Sequence, residues 1–274
     1  MNYIKNILLA IGFTFSVVFL AGCGEDEPVE PTLNTEGKVM IAEGYALGAG
    51  AKVKVYGKEK LFSGYNQLFV AVYDSISDEL IEESHVSFMP MMAMNSGMSH
   101  SAPYENPASS EAKEGFFEGA VVFLMPSMMG TWTLDVHVHN HKNMKEGMAK
   151  FEVMVAEDSE PRIRTFESKT DQKNLFVSYK LGEEPKVGIN DIEFVVNSRK
   201  TMMEFLPEEN YTFEMTPEMP TMGHGSPNNV NPTHTEMGHY AGKLNFTMTG
   251  LWRVNLVIKE GGDIVAETSF DITF

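Results

Sequence analysis

The segment from Glu214 to Tyr240, EMTPEMPTMGHGSPNNVNPTHTEMGHY, concentrates methionine and histidine among proline, glycine and asparagine. Thioether sulfur is a soft, neutral ligand that suits Cu(I), whereas imidazole serves Cu(I), Cu(II) and Zn(II). The turn-forming residues predict a loop in which neither a helix nor a strand period is sustained. We therefore predict a copper site, with Cu(I) favoured, drawn from the following ligands: Met219, Met222, His224, His234, Met237 and His239.

An earlier segment offers a similar set, and its candidate ligands are Met92, Met98 and His100. Methionine has a second interpretation in both segments, because it is also a flexible core residue that packs against aromatic rings. In that interpretation the methionines serve folding and bind no ion. Residue types alone leave both interpretations open.

A third candidate is the sequence His137-Val-His139-Asn-His141. On a strand, residues two apart share a face, so three imidazoles would stand in a row at intervals of about 7 Å. Adjacent members could share a metal ion if the end of the strand curls. The alternative is a solvent-facing row of histidines on an edge strand, with Val136 and Val138 buried.

Composition and motifs argue against several function classes. The formal net charge is −17, and it is −18 without residues 1–22, which contain one lysine and no acid. A polyanion repels nucleic-acid phosphates, so we expect no nucleic-acid partner. The sequence also lacks a nucleophile elbow, a zinc-protease motif and a phosphate-binding glycine loop, and we expect no enzyme.

The N-terminus has the order of a secretory signal, with Lys5 followed by the apolar run Ile7 to Phe19. Leu20-Ala21-Gly22-Cys23 resembles a bacterial lipobox, which implies a signal peptide at 1–22 and a lipid on Cys23. Residues 23–36 are acidic and contain proline, as in a flexible tether. We therefore expect a cell-envelope lipoprotein of the outer membrane, facing the periplasm or the cell surface. Cys23 is the single cysteine, which excludes disulfides and other thiol ligands within the chain.

An internal comparison shows that the same residue types recur in the same order in two parts of the chain. The matched pairs are Pro90 with Pro217, Met92 with Met219, His100 with His224, Asn106 with Asn231, Gly119 with Gly242, and Trp132 with Trp252. The chain is therefore interpreted as a tandem repeat.

Each repeat consists of short runs rich in β-branched and aromatic residues, without a long helical period. Residues 250–258, GLWRVNLVI, alternate between two faces from Leu251 onward, as a half-buried strand does. We predict an all-β protein with two immunoglobulin-like β-sandwich domains in tandem after a lipoprotein signal peptide. The predicted domains span residues 37–157 and 158–274.

The second repeat contains P-x-M-P-x-M-G-H, then G-x-Y-x-G and G-x-W, and this order resembles the YtkA-like and FixH-like domains. In the first repeat Ala93 and Phe117 replace a proline and the tyrosine of these motifs. The resemblance implies small extracytoplasmic β-sandwiches associated with copper handling. It also implies a copper-protein partner or a role in assembling copper-containing respiratory oxidases.

Two hypotheses about function follow. In the first, the protein is a lipid-anchored, extracytoplasmic copper buffer or chaperone that uses its Met/His loops. In the second, it is a structural or protein-interaction module of the cell envelope that binds no metal. Cu(I) binding that depends on the Met/His residues discriminates between them.

Overall fold

The computed structural model describes residues 33–182 and 184–274. The predicted signal peptide, Cys23 and most of the tether lie outside the described residues. Residues Asn34–Phe274 form one compact unit. Within the described ranges, no helix is both long enough and apolar enough to span a membrane.

The first half of this unit contains nine strands among its described residues, together with the short 3₁₀ helices Leu47–Ala49 and Ser127–Met129. The strands are β1 Val39–Ala46, β2 Ala51–Gly57, β3 Gly64–Asp74, β4 Ser84–Met94, β5 Ser99–Ser101, β6 Tyr104–Glu105, β7 Phe117–Phe123, β8 Gly130–Asn140 and β9 Lys145–Val153.

The described part of the second half contains ten strands. They are β10 Ile163–Glu167, β11 Asn174–Leu181, β12 Gly188–Arg199, β13 Phe205–Pro207, β14 Tyr211–Met219, β15 His224–Gly225, β16 Val230–His234, β17 His239–Phe246, β18 Leu251–Glu260 and β19 Asp263–Thr273. The connection between β9 and β10 contains the predicted domain division at residues 157 and 158.

The strands form antiparallel sheets with the same order in both halves. The first half pairs a sheet β1-β2-β3-β7-β6 with a sheet β5-β4-β8-β9. The second half has β10-β11-β12-β17-β16, with β13 beside β12, and β15-β14-β18-β19. In each half one hydrophobic core is formed by residues of both sheets, so each half is a sandwich. The prediction of an all-β, sandwich-like fold is confirmed.

The prediction that Glu214–Tyr240 forms a loop throughout is wrong, because strands occupy much of this segment and turns only the rest. Residues Tyr211–Met219 form strand β14, in which every second side chain is buried. Met215 and Met219 therefore lie in the core. Pro217 is tolerated because β15 pairs with β14 only at Glu218 and Met219, which leaves an open edge where a missing N–H costs little.

Two asparagines make the same hydrogen bond in the two halves. Asn106 accepts a hydrogen bond from the backbone N–H of Phe88 at 2.8 Å, and Asn231 accepts one from that of Met215 at 2.9 Å. Each bond joins the segment around β6 or β16 to a strand of the opposite sheet. The recurring Asn-Pro motif thus has a structural role, namely to connect the two sheets of its sandwich.

The glycines of the G-x-Y-x-G motif also have a packing role. A Cβ atom on Gly119 would lie 2.4 Å from the carbonyl oxygen of Glu105. In the second half, a Cβ atom on Gly242 would lie 2.7 Å from the carbonyl oxygen of Val230. Both distances are too short for a side chain, so these positions let β6 and β16 approach their neighbouring strands closely.

We predict that replacing Asn231 with alanine destabilises the protein by about 1–3 kcal/mol, because the N–H of Met215 loses its acceptor. Urea unfolding of the purified protein, followed by tryptophan fluorescence, measures the change. Asn255→Ala is the control, since Asn255 lies on the outer face of β18. Equal midpoints for the two variants would show that the Asn231 hydrogen bond contributes nothing.

Candidate metal-binding sites

The methionine and histidine of the first half lie side by side because of strand register. Met92 on β4 is directly opposite His100 on β5 and Trp132 on β8. Directly opposed residues of antiparallel strands project to the same face. All three side chains are buried, so they form a row on the inner face at one end of the sandwich.

The His100 ring is oriented so that one nitrogen remains available. Its Nδ1 lies 2.6 Å from the carbonyl oxygen of Ser101, which makes Nδ1 the protonated nitrogen. Nε2 then carries a lone pair, yet it is buried and has no hydrogen-bond partner. The ring is 4% exposed and stands edge-on to Trp132, with centroids 5.4 Å apart. A buried, unpaired acceptor of this kind calls for an explanation, and a metal ion is one.

The second half repeats this row. Met219 on β14 is opposite His224 on β15, and Met219 follows the pair Glu218–Arg253, which places it beside Trp252. The Nδ1 atom of His224 lies 3.0 Å from the carbonyl oxygen of Gly225, and its ring stands 5.8 Å from that of Trp252. The histidine is partly exposed here, whereas its counterpart in the first half is buried.

Two further predicted methionines occupy the turns of these hairpins. Met98 is 56% exposed and Met222 is 61% exposed, so neither is a core residue. Backbone hydrogen bonds close each turn, from Met94 to Met98 in the first half and from Met222 to Met219 in the second. The thioethers at the turns are therefore accessible to an ion in solution.

Three residues predicted for the same site lie elsewhere. His234 packs its ring against Tyr240, with centroids 5.3 Å apart, and the Tyr240 hydroxyl contacts the backbone N–H of Tyr211. Tyr211 begins β14 and Met219 ends it, about 26 Å further along the strand. The structure therefore does not bring His234, or the neighbouring Met237 and His239, together with the hairpin that carries His224.

His239 instead joins the two halves. Its Nε2 atom contacts Glu105 of β6 at 2.7 Å, and its Nδ1 atom contacts Glu193 of β12. Tyr65 donates a hydrogen bond to the second oxygen of Glu105 at 3.0 Å, and Lys180 lies 2.7 Å from Glu193. Both ring nitrogens of His239 face carboxylates, so both carry protons and neither has a lone pair for a metal.

The ionisation of this cluster follows from its contacts. Burial alone would lower the pKa of His239, but hydrogen bonds to Glu105 and Glu193 outweigh it and raise the pKa to about 9. Burial would raise the pKa of Glu193, but hydrogen bonds from His239 and Lys180 outweigh it and lower the pKa to about 2. Burial and the adjacent Glu105 raise the pKa of Tyr65. The cluster therefore consists of the His239 imidazolium held between the carboxyl groups of Glu105 and Glu193.

The histidines at the end of β8 form a compact group, but with a different membership from the one predicted. His85, His139 and His141 each offer a ring nitrogen, and these atoms lie within 4.8 Å of one another. His137 is exposed, lies opposite Ser87 and Met148, and is not a member of the group. His85 was missed, because its position depends on how β4 pairs with β8, which the sequence does not show.

A cleft of about 930 Å³ lies between the two halves. Several of its charged side chains form ion pairs, including Arg162 with Glu59 at 2.7 Å and with Asp158 at 3.0 Å. Among the described residues, none of the predicted metal ligands lines this cleft. The cleft therefore does not contain the predicted ligand set for a soft ion.

The sequence profile of the YtkA-like family matches residues 171–257. The match contains the hairpin with Met219 and His224 and extends into β18 beyond Trp252. The predicted YtkA-like domain is confirmed for this part of the chain. Its assignment to the first half, the FixH-like relationship and the lipoprotein features stay predictions. No curated protein matches the chain.

Several solved structures resemble the chain weakly. The Escherichia coli adhesin FdeC is 14% identical, with 85% of this chain and 65% of that chain covered and a TM-score of 0.26. InvD of Yersinia pseudotuberculosis is 11% identical, with 88% and 58% covered and a TM-score of 0.25. Domains 5–6 of the S-layer protein SbsC are 10% identical, with 86% and 98% covered and a TM-score of 0.28. The chain spans less than two thirds of the first two structures, and none of these similarities bears on function.

We predict that the His239 cluster makes stability depend on pH. Because the folded pKa of about 9 exceeds the ordinary value near 6.5, the contribution is complete below about pH 6.5 and is lost as the pH rises through 9. The loss should reach about 2–3 kcal/mol. Urea unfolding at pH 6 and pH 9 measures it, with His239→Gln expected to remove this pH dependence.

The control for this prediction is His137→Gln, since the His137 side chain is exposed on β8. It should retain the pH dependence of the unaltered protein. If His239→Gln lost as much stability between pH 6 and pH 9 as the unaltered protein does, the pH dependence would come from other groups and the prediction would be wrong.

Proposed function

We propose that the protein is an extracytoplasmic copper-binding protein, anchored to lipid through Cys23, that buffers or delivers Cu(I). The observation that carries the proposal is the row of histidine, methionine and tryptophan at the same place in both halves. In each row the histidine Nδ1 atom faces the carbonyl oxygen of the next residue. The lone pair of Nε2 is then left to bind a metal ion.

The chemistry of the two rows favours a soft monovalent ion. Each offers a neutral imidazole and a thioether, without a carboxylate or thiolate among the residues named, and this set is typical of Cu(I). The indole of Trp132 or Trp252 shields one side of the histidine from water. The exposed thioethers of Met98 and Met222 provide further ligands, through which an ion enters and leaves.

The rest of the chain is compatible with this proposal. The strongly negative net charge attracts cations and repels nucleic-acid phosphates. The match of residues 171–257 to a YtkA-like profile supports placement outside the cytoplasm. In this proposal the protein faces the periplasm or the cell surface from the outer membrane, and it passes copper to a copper protein or to an assembling respiratory oxidase. It has no enzymatic activity.

The test is a Cu(I) titration of the purified protein against a calibrated chromophoric chelator under reducing conditions. We predict one or two ions per chain. Met219→Leu should weaken the second-half site at least about tenfold, because it removes the sulfur while preserving volume. His224→Ala should weaken it at least as much.

Met215→Leu is the matched control, since Met215 is a buried methionine of the same strand that lies outside the row. It should bind Cu(I) like the unaltered protein. Absence of competition with the chelator would overturn the proposal and favour a structural or protein-interaction module, whose partners a chelator would not release.

A further inference from the structure

The outer face of the sheet β5-β4-β8-β9 carries a second set of ligands. His85 of β4 lies directly opposite His139 of β8, and both side chains point away from the core. Their rings are nearly parallel, with centroids 6.0 Å apart. His141 lies just beyond the end of β8, and its ring centroid is 4.6 Å from that of His85 and 5.2 Å from that of His139.

His141 reaches the other two rings because the chain turns sharply after β8. The turn is fixed by side-chain hydrogen bonds: Asn140 and Asn143 both donate to the carbonyl oxygen of Ala49, at 3.1 and 2.9 Å. Asn140 also accepts a hydrogen bond from the backbone N–H of Lys142 at 2.9 Å. Two of the three histidines therefore stand on paired strands and the third on an anchored turn, which pre-organises the group.

We propose that His85, His139 and His141 bind one divalent ion of borderline softness, Zn²⁺ or Cu²⁺. Three imidazoles with an open fourth position are a ligand set that both ions accept. Ligand nitrogens of a tetrahedral Zn²⁺ site stand about 3.4 Å apart, given Zn–N bonds near 2.1 Å. The three nitrogens already lie within 4.8 Å, so small ring rotations complete the geometry.

In the described structure a hydrogen bond of 2.7 Å links His141 Nε2 to His85 Nδ1. One of these atoms must carry a proton and the other must accept, so at least one lone pair already points into the group. When a cation binds, the ring that carries this proton changes tautomer: the bridging nitrogen releases its proton to solvent, the other nitrogen of the same ring takes one up, and both bridging nitrogens become ligands. The adjacent Lys142 does not oppose the cation strongly, because its ammonium is paired with Glu79 at 2.7 Å.

This site is separate from the Met/His rows. Trp132 and His139 are seven residues apart on β8, a distance of about 23 Å, and their side chains lie on opposite faces of the sheet. One ion cannot contact both. The second half lacks the group, since Thr212 and Lys259 form the corresponding pair of β14 and β18. The divalent site thus belongs to the first half alone among the described residues, and it does not depend on the proposed Cu(I) function.

The test is isothermal titration calorimetry of the purified protein with zinc chloride in a non-chelating buffer. We expect one Zn²⁺ per chain, bound at least about 100-fold more weakly by His85→Ala, His139→Ala or His141→Ala. The matched control is His137→Ala, on the same face of β8 two residues from His139, which should change the affinity less than about threefold. Electron paramagnetic resonance with Cu²⁺ should show three nitrogen ligands, and fewer in His85→Ala.

The outcomes separate this proposal from the previous one. Thermal melting checks folding, and because His85 is exposed we expect His85→Ala to melt like the unaltered protein. His85→Ala should also bind Cu(I) normally, while Met219→Leu should bind Zn²⁺ normally. Zn²⁺ affinity unchanged in His85→Ala, or lost equally in His137→Ala, would overturn the three-histidine site whatever the Cu(I) result.

Discussion

The register between β4 and β8 is the constraint on which the remaining features of the first half depend. The two strands pair along the whole of Ser84–Met94, so one alignment sets every contact between them. The same alignment places Met92 beside Trp132 on the inner face and His85 beside His139 on the outer face. A slip by one residue would exchange the two faces and would bury the histidines while exposing the indole. Such a slip is disfavoured, because it costs free energy to bury the outer imidazoles and to expose core side chains. One register therefore fixes both the inner row and the outer histidine group.

Much of the fold could be predicted because the strands follow simple patterns. The alternation from Leu251 to Ile258 identifies most of β18, which ends at Glu260. The residue pairs that recur in the two halves of the sequence agree with the strand order that the two halves share. Strands β4 and β14 were missed, since prolines and methionines conceal the alternation until burial is known. The β-strand propensity of a residue depends on its type, and proline has a low one. Pro217 is tolerated in β14 because it lies at a sheet edge, and that edge forms only in the folded protein.

The candidate sites also divide into those that local sequence predicts and those that depend on the pairing of distant strands. The association of Met219 with His224 was predictable, because only four residues, one of them Gly223, separate them along the chain. The grouping of His85 with His139 was not, since it arises from pairing between distant segments. His239 shows the opposite case: a histidine close in sequence to the predicted ligands is engaged by Glu105, a residue far away along the chain. Its role as a charged link between the halves could not have been read from local sequence.

The short strands at the edges of the two smaller sheets have a further consequence. Strand β5 has three residues and β15 has two, and each covers only one end of its neighbour. A long open edge of unpaired N–H and C=O groups would be a template for another chain. Proline within β4 and β14, at Pro90 and Pro217, interrupts that template where the short strands stop. These Met-rich sheets therefore resist extension by a neighbouring molecule, so that the same prolines that hide the strands from sequence analysis limit self-association.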